Sequence, residues 1–518
     1  MERKSKAGNI AKSALILSII HGITLIFSFL KESVFAYYFG TTATADAYAI
    51  AIQLPVTLFS VVSTAISTIV IPNYSKELIQ NSQEKARKFA SNLITIISIL
   101  TVTLLVVLEL AAPIVIKITA PGLIKETSDL ACLLFRMVMP TILLTELINI
   151  NTGILNVHKS FALPALGSMC LNIIYVTVVI ILANSMGIYA AIVGYIIGTV
   201  VQFTYSLILR IRFVKYGFEL NIKDETIVNS FKMAIPVFIG IGAAEINKVV
   251  DKMVSSFLQA GSIASLNYAS KLSSAVSSLL ISGIATVVYP EFSRCVNEKR
   301  YEDLADSFLL SLKMYVMIIL PLIMGGAFLG TEIITIVFKR GAFDADSVAR
   351  TVPIFACYLV CLLFTAIRQS SSRFFYSYND SKTPMKNSLV GIGCNIVLNI
   401  VLAHFLQAFG LALATTISTA IISGLILKDA KKKNEYIQYH KILLLVGKAA
   451  LSSIVMVLVL YGVKIGGAYL LPKNNGVVYQ ILYFGVSLVI GVLVYVIMLL
   501  IAKTEEAHIV FRKVLKRK

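Results

Sequence analysis

The chain has 518 residues, of which 57% are hydrophobic and 14% charged, and its formal net charge is +19. Soluble domains are about half apolar and about one quarter charged, so this composition excludes a soluble enzyme and a secreted disulfide scaffold. The apolar blocks of about 20 residues are also too long for the alternating strands of a β-barrel. In a membrane protein, the positive charge indicates basic cytoplasmic loops rather than nucleic acid binding.

About fourteen apolar segments follow one another, each long enough to cross a hydrocarbon core of ~30 Å. They are predicted near residues 11–29, 46–71, 90–116, 130–150, 162–183, 188–209, 231–257, 272–289, 308–329, 352–367, 389–406, 411–427, 442–463 and 477–501. The sequence therefore predicts an all-α polytopic membrane protein with about 14 transmembrane helices.

Basic residues collect in alternate loops. Counted from a cytoplasmic N-terminus, the inward segments hold the basic clusters within residues 3–6, 85–88, 210–215, 294–300, 368–386, 431–433 and 512–518. The outward loops hold far fewer. Because Lys and Arg are enriched in cytoplasmic loops, both termini are predicted to face the cytoplasm.

The chain repeats itself after six spans. TAISTIVIPNYS at residues 64–75 matches SGIATVVYPEFS at residues 282–293, an offset of 218. Farther along, an offset of 223 pairs Asn172 with Asn395, Gly187 with Gly410, and Ala191 with Ala414. An even number of spans gives both copies the same orientation in the membrane. We therefore predict two parallel six-helix repeats around a central cleft, residues 1–215 and 216–435, followed by two extra helices and a basic cytoplasmic tail over residues 436–518.

Charged residues within or at the ends of predicted spans are expected to face the protein interior or a water-filled cavity. In the first two spans of each repeat they are Lys31, Glu32, Asp46, Glu245, Lys248, Asp251 and Lys271. We expect them to line one cleft, although Lys248 has the alternative of only neutralising Glu245 or Asp251 on its own helical stripe. In the fourth span, Arg136 and Glu146 are predicted to form an interhelical pair.

Several segments in order resemble the MurJ/MviN family of lipid II flippases, which belongs to the multidrug/oligosaccharidyl-lipid/polysaccharide exporter superfamily. They are ESVFAYYFGTTATADAYAIAIQLP at 32–55, ITAPGL at 118–123, INKVVDKMVSSFLQAGSIASLNYASKL at 246–272, FKRGAFDADSVART at 338–351, RFFYSYNDSKTPMKNSLVGIGCNIVLNIVL at 373–402 and GLALAT at 410–415. The resemblance covers twelve spans. This chain departs from the family where Phe59 and Thr64 replace an Arg and a Glu of the second span, and where Lys271 replaces an Arg.

The resemblance implies a flippase that moves a polyprenyl-diphosphate-linked glycan, in the first place the peptidoglycan precursor lipid II, to the outer leaflet by alternating access. It also implies that charged residues of the cleft bind the substrate. These predicted substrate-binding residues are Lys31, Glu32, Asp46, Lys248 and Lys271. Lys ammonium groups bind phosphates as point charges and replace their hydration. The implied partners are the lipid-linked glycan diphosphate, membrane lipids and the cell-wall synthesis machinery, and the location is the bacterial cell membrane.

Other functions remain as alternatives at this point. A flippase for another lipid-linked polysaccharide has the same features, and so does a cation-coupled multidrug exporter, although the cationic pair Lys31 and Lys271 favours an anionic cargo. No metalloprotease, P-loop or nucleophile-elbow motif is found, so we predict no enzyme activity, and a scaffold that transports nothing is a further alternative.

A monovalent cation site is also predicted. Asn395 and Asn399 are four residues apart and share one helix face, Thr415 begins the next span, and Asp251 supplies a full negative charge. Oxygen ligands suit a hard cation such as sodium, and a proton on Asp251 is the alternative for coupling. Amides and hydroxyls also join membrane helices by hydrogen bonds alone, so packing is the competing interpretation. No other cofactor is expected.

Overall fold

The computed structural model describes residues 2–470 and 477–504. Every element in this part of the chain is helical, which confirms the predicted all-α fold class. The predicted cytoplasmic tail over residues 505–518 lies outside the described residues, and so do Lys473 and the side chains of Arg3, Lys4 and Lys6.

The chain forms two compact units, Met1–Ala264 and Ser265–Lys518. The helices that begin in the first unit are α1 Glu2–Phe39, α2 Ala43–Lys76, α3 Gln83–Leu110, α4 Ala112–Thr119, α5 Lys125–Val138, α6 Thr141–Val157, α7 Ala162–Met186, α8 Tyr189–Ile211, α9 Glu225–Ser256 and α10 Ser262–Asn297. A π-helical turn, Glu77–Asn81, follows α2. The remaining helices are α11 Tyr301–Phe328, α12 Gly330–Phe338, α13 Ala345–Ser377, α14 Lys382–Lys433, α15 His440–Leu470 and α16 Val477–Ile501.

Among the described residues, ten helices are long and apolar enough to cross a membrane, or eleven if α5 and α6 form one span. These two helices are bent by 44° where Pro140, which has no backbone N–H, precedes α6. The helix α14 counts once in this total, although its backbone is broken at Gln407. The protein is therefore multi-pass, and the number of fourteen spans stays a prediction.

Helix boundaries reproduce the repeat. The first and last residues of α3 and α11 differ by the same 218 positions that separate the two matching sequence segments. Farther along the offset is 220, because Gly187, with φ 56° and ψ −137°, has its counterpart in Gln407, with φ 51° and ψ −137°. The second repeat thus breaks its helix at a glutamine, three residues before Gly410, the residue paired with Gly187 in the sequence.

Each unit has its own apolar core. In the first unit, buried side chains of α2, α3 and α6 pack together around Ile66, Tyr74, Phe89 and Ile150. In the second, α11, α15 and α16 meet around Val316, Met456 and Tyr495, so the two last helices pack on α11. The first of these cores includes α2, the helix that carries Asp46.

Candidate functional site

Lys31 lies on α1, and its ammonium faces two aromatic rings. The Nζ atom is 4.9 Å from the ring centroid of Tyr175 on α7 and 5.7 Å from that of Tyr195 on α8. Both distances lie within the ≈ 6 Å range of cation–π attraction. The next residue, Glu32, is buried. The ammonium of Lys31, which is predicted to bind substrate, thus contacts two tyrosine rings of the first unit.

The two tyrosines are placed by close packing of α7 on α8. A Cβ atom added at Gly194 would lie 3.2 Å from the Tyr175 carbonyl oxygen, and one at Gly198 would lie 2.9 Å from that of Leu171. Small residues spaced four apart let membrane helices approach closely. The Tyr48 hydroxyl on α2 also donates to the Tyr175 hydroxyl at 3.0 Å, which ties a third helix to the same ring.

Asp46 is predicted to bind substrate, but its carboxylate accepts hydrogen bonds from two backbone amides. The Gly261 N–H donates to Oδ2 at 2.6 Å and the Ala264 N–H donates to Oδ1 at 2.7 Å. These are amides at the N-terminus of α10, which α10 itself leaves without acceptors. Gly261, at φ +88° and against the Thr41 carbonyl, has no side chain that could serve as a cap. Asp46 therefore acts as the N-cap of α10 in this structure, and a role in binding substrate stays a prediction.

The charged stripe on α9 forms an ion pair within the helix. Lys248 Nζ lies 2.7 Å from Glu245 Oε1, and the lysine side chain is 52% exposed whereas the glutamate is 13% exposed. The pair is the alternative predicted from the spacing of three residues, in which Lys248 neutralises Glu245 on the same helix. Lys248 and Lys252 both line a small crevice between α9 and α2, with Gln53 and Thr57 on the opposite side. The ammonium of Lys248 is thus paired and also accessible.

The remaining predicted residues of the ion site belong to two units. Asp251 lies in the first unit. In the second, Asn399 Nδ2 donates to Asn395 Oδ1 at 3.0 Å, and Asn395 Nδ2 donates to Ser418 Oγ at 3.2 Å. Both asparagines are buried, and the Thr415 hydroxyl donates to the Leu411 carbonyl at 3.0 Å. The amides therefore share one face as predicted, with Ser418 as a neighbour that the sequence analysis did not name.

Two further predictions concern Lys271 and the pair of Arg136 and Glu146. Lys271 is exposed on α10, in the second unit, whereas Lys31 belongs to the first; their shared cleft stays a prediction.

The predicted pair of Arg136 and Glu146 is wrong. Arg136 Nε lies 4.0 Å from Glu109, and the buried Glu146 accepts a hydrogen bond of 2.6 Å from Ser63. Ten residues separate Arg136 from Glu146, so even an unbroken helix would hold them about 15 Å apart.

An apolar cavity of about 430 Å³ lies within the second unit. It is bordered by α10, α11, α12, α15 and α16 through Leu280, Pro321, Gly325, Leu329, Met456 and Gly491, among others. Glycines at two of these positions leave room that side chains would fill. A lining of this composition suits a hydrocarbon chain rather than a polar ligand.

Sequence reasoning missed the tyrosines around Lys31 and the apolar cavity. The spacing of Gly194 and Gly198 within a predicted span was a signal for a close helix pair, and Tyr195 lies between these two glycines. No comparable signal marks the cavity, whose lining residues come from five helices. Among the described residues, no group of three or more His, Cys, Asp or Glu side chains could hold a metal ion.

Comparison with known proteins finds one family throughout. The profile of the family described as "Lipid II flippase MurJ" matches residues 35–487. The lipid II flippase MurJ of Thermosipho africanus is 29% identical over 94% of this chain and 95% of its own length. A probable lipid II flippase MurJ of Treponema pallidum is 25% identical over 99% of both chains.

Solved structures show the same similarity. One of lipid II flippase MurJ in an inward closed conformation has a TM-score of 0.78 and 27% identity, and the match covers 97% of this chain and 100% of that one. An inward-facing multidrug resistance MATE family transporter of the MOP superfamily has a TM-score of 0.67 and 13% identity, covering 82% of this chain and 98% of that one. The latter likeness concerns the fold alone.

Proposed function

Because this chain belongs to the MurJ family of lipid II flippases, we propose that it moves lipid II from the inner to the outer leaflet of the bacterial inner membrane by alternating access. The observation that carries this function is the extent of the match, residues 35–487, together with the fold shared with a solved MurJ structure over 97% of the chain. Both termini are proposed to face the cytoplasm, with the basic loops on that side.

The diphosphate of the cargo needs cationic partners while it crosses the membrane. We assign this role to Lys31 and Lys271. Lys248, Glu32 and Asp46, on the first two helices of each repeat, are proposed to complete the substrate-binding site. An ammonium attracts a diphosphate as a point charge from many directions, which suits a ligand that moves during transport. The capping bonds of Asp46 indicate that its contribution is to hold the start of α10 in place.

The polyprenyl chain of the cargo needs an apolar environment. The cavity of about 430 Å³ in the second unit offers one, since its lining is mostly apolar and contains glycines at Gly325, Gly326 and Gly491. We propose that it accommodates a segment of the prenyl chain, with the rest remaining in lipid.

Transport is proposed to be coupled to a sodium ion or to a proton. The hydrogen-bonded group of Asn395, Asn399 and Ser418 supplies amide and hydroxyl oxygens in the second unit, with Thr415 in the same helix, and hard cations prefer such ligands. Asp251 supplies the negative charge. Transport by Asp251→Asn across a sodium series tests this: loss of sodium dependence supports the site, and unchanged, sodium-independent transport contradicts it.

The assignment of the cations is tested by complementation in cells that depend on this protein. Lys31→Ala and Lys271→Ala are expected to abolish growth support while the protein is still expressed and inserted. Lys125→Ala, at the exposed start of α5, is the matched control and should behave as wild type. Normal transport by both alanine variants would place the diphosphate elsewhere.

Binding of lipid diphosphates but not of cationic dyes would separate this function from that of a drug exporter. Capture of cell-wall synthesis enzymes would test the predicted protein partners.

A further inference from the structure

The surroundings of Lys31 contain a feature that its charge alone does not explain. Its ammonium faces two aromatic rings that come from different helices, Tyr175 at 4.9 Å and Tyr195 at 5.7 Å. Tyr175 is fully buried, whereas Lys31 and Tyr195 are partly exposed. The cation thus lies between a rigid interior ring and a second ring at the border of the accessible surface.

The rings are fixed more firmly than the lysine they face. The Tyr175 hydroxyl accepts a hydrogen bond of 3.0 Å from Tyr48, so the ring is tied to α2 as well as to its own helix. Tyr195 stands between Gly194 and Gly198, whose lack of side chains brings α8 against the α7 backbone. A lysine side chain has many rotamers and a strongly hydrated ammonium. Two rings at these distances restrict those rotamers and displace part of that water.

A ring face differs from a carboxylate as a partner for a lysine. It attracts the ammonium through its quadrupole and carries no net charge of its own. An ammonium held in this way is oriented in advance, which reduces the entropy lost when an anionic ligand binds.

We propose that Tyr175 and Tyr195 are positioning residues: their rings form an aromatic seat that holds the Lys31 ammonium where it meets the diphosphate of the cargo. This inference rests on the proposed role of Lys31 in diphosphate binding. At Tyr195 the seat contributes through its ring face, so phenylalanine should replace this tyrosine and leucine should not. At Tyr175 the hydroxyl is needed as well, because it accepts the hydrogen bond from Tyr48 that holds the ring.

The test measures the affinity of the purified full-length protein for undecaprenyl diphosphate. Tyr175→Leu and Tyr195→Leu are expected to weaken binding about threefold to tenfold, the range of a partly desolvated cation–π contact. Tyr195→Phe should stay within about twofold of wild type, because the ring face that Lys31 meets is kept. Tyr205→Leu, ten residues farther along α8, is the control and should leave binding unchanged.

The same leucine variants are then made in a Lys31→Met background, where they should cause no further loss. The seat is contradicted if either leucine variant binds as wild type, or if leucine weakens binding by the same factor with and without Lys31, which is the result of a merely structural role. If Tyr175→Leu does not fold, the partly exposed Tyr195 decides the outcome. Unchanged binding by Lys31→Met alone would instead contradict the proposed function of Lys31.

Discussion

Asp46 accepts a hydrogen bond from the backbone N–H of Ala264, the residue that stands 218 positions later at the corresponding place in the second repeat. The second oxygen of the same carboxylate accepts from Gly261. The N-terminus of α10 is thereby capped by a side chain of α2, and Asp46 lies at the N-terminus of its own helix as well. One buried carboxylate thus meets the positive ends of two helices.

The first prediction concerns this cap. Asp46→Ala should lower the free energy of unfolding by about 2 kcal/mol, because it removes a charged acceptor from two amides at a helix N-terminus. Asp46→Asn should fall between alanine and wild type, since its one oxygen can serve only one of the two amides well. Thermal unfolding in detergent measures both. An unfolding temperature equal to wild type combined with lost transport would instead assign Asp46 to the substrate.

A second prediction concerns the contact between α7 and α8. Gly198→Ala should destabilise the protein by about 1–3 kcal/mol, the usual effect of overpacking, because its Cβ atom would lie 2.9 Å from the Leu171 carbonyl oxygen. Gly393→Ala is the matched control: a Cβ there meets nothing within 4 Å, and the helix should gain about 0.5–1 kcal/mol. Equal effects of the two substitutions on thermal unfolding would show that the close approach is not required.

The third prediction follows from the break in α14. Gln407 has φ 51°, a left-handed conformation that glycine adopts freely and that Gly187 supplies in the first repeat. Gln407→Gly should therefore stabilise the protein by about 1 kcal/mol, whereas Gly187→Gln should destabilise it by a similar amount. As control, Gln202→Gly in the interior of α8 should lower stability by up to ~1 kcal/mol. A loss of stability in Gln407→Gly would show that the position carries no backbone strain.

A fourth prediction concerns His158, which follows α6. Its Nε2 atom is 3.0 Å from the Tyr74 hydroxyl and its ring stacks on Phe213 at 4.2 Å. Burial lowers the pKa of His158 below its ordinary value. The folded state therefore binds this proton more weakly than the unfolded state does, and the stabilisation is present above the ordinary pKa and lost as the pH falls through the lowered one.

Acidification from about pH 7.5 to about pH 5 should thus lower the unfolding temperature more in the wild type than in His158→Gln, which cannot be protonated in this range. Phe213→Leu, which uncovers the ring, should reduce the pH dependence in the same direction. Parallel curves for wild type and His158→Gln would contradict the assignment.

Hydropathy and the repeat predicted the fold class because apolar length and self-similarity are properties of the chain itself. The four-residue spacing of Asn395 and Asn399 likewise predicted a shared helix face, which their hydrogen bond confirms. What a side chain meets on another helix was not predictable in this way. The amides bound by Asp46 lie more than 200 positions away in sequence, and the rings that face Lys31 belong to α7 and α8.

The helix breaks show a second limit. The repeat suggested that Gly410 would correspond to Gly187, since glycine is the usual residue for a positive φ. The break lies instead at Gln407, a residue type that seldom adopts a positive φ. In the fourth span, Pro140 was visible in the sequence, but the bend of 44° between α5 and α6 and the partners of Arg136 and Glu146 on other helices depend on tertiary packing.

Transport of lipid II across the membrane by this protein is measured most directly as the amount of lipid II in each leaflet of cells depleted of the protein. Depletion should lower the amount in the outer leaflet and raise that in the inner leaflet. Wild-type protein should restore the distribution, and the Lys31→Ala variant should fail to do so at equal expression. An unchanged amount of lipid II in the outer leaflet after depletion would contradict the account.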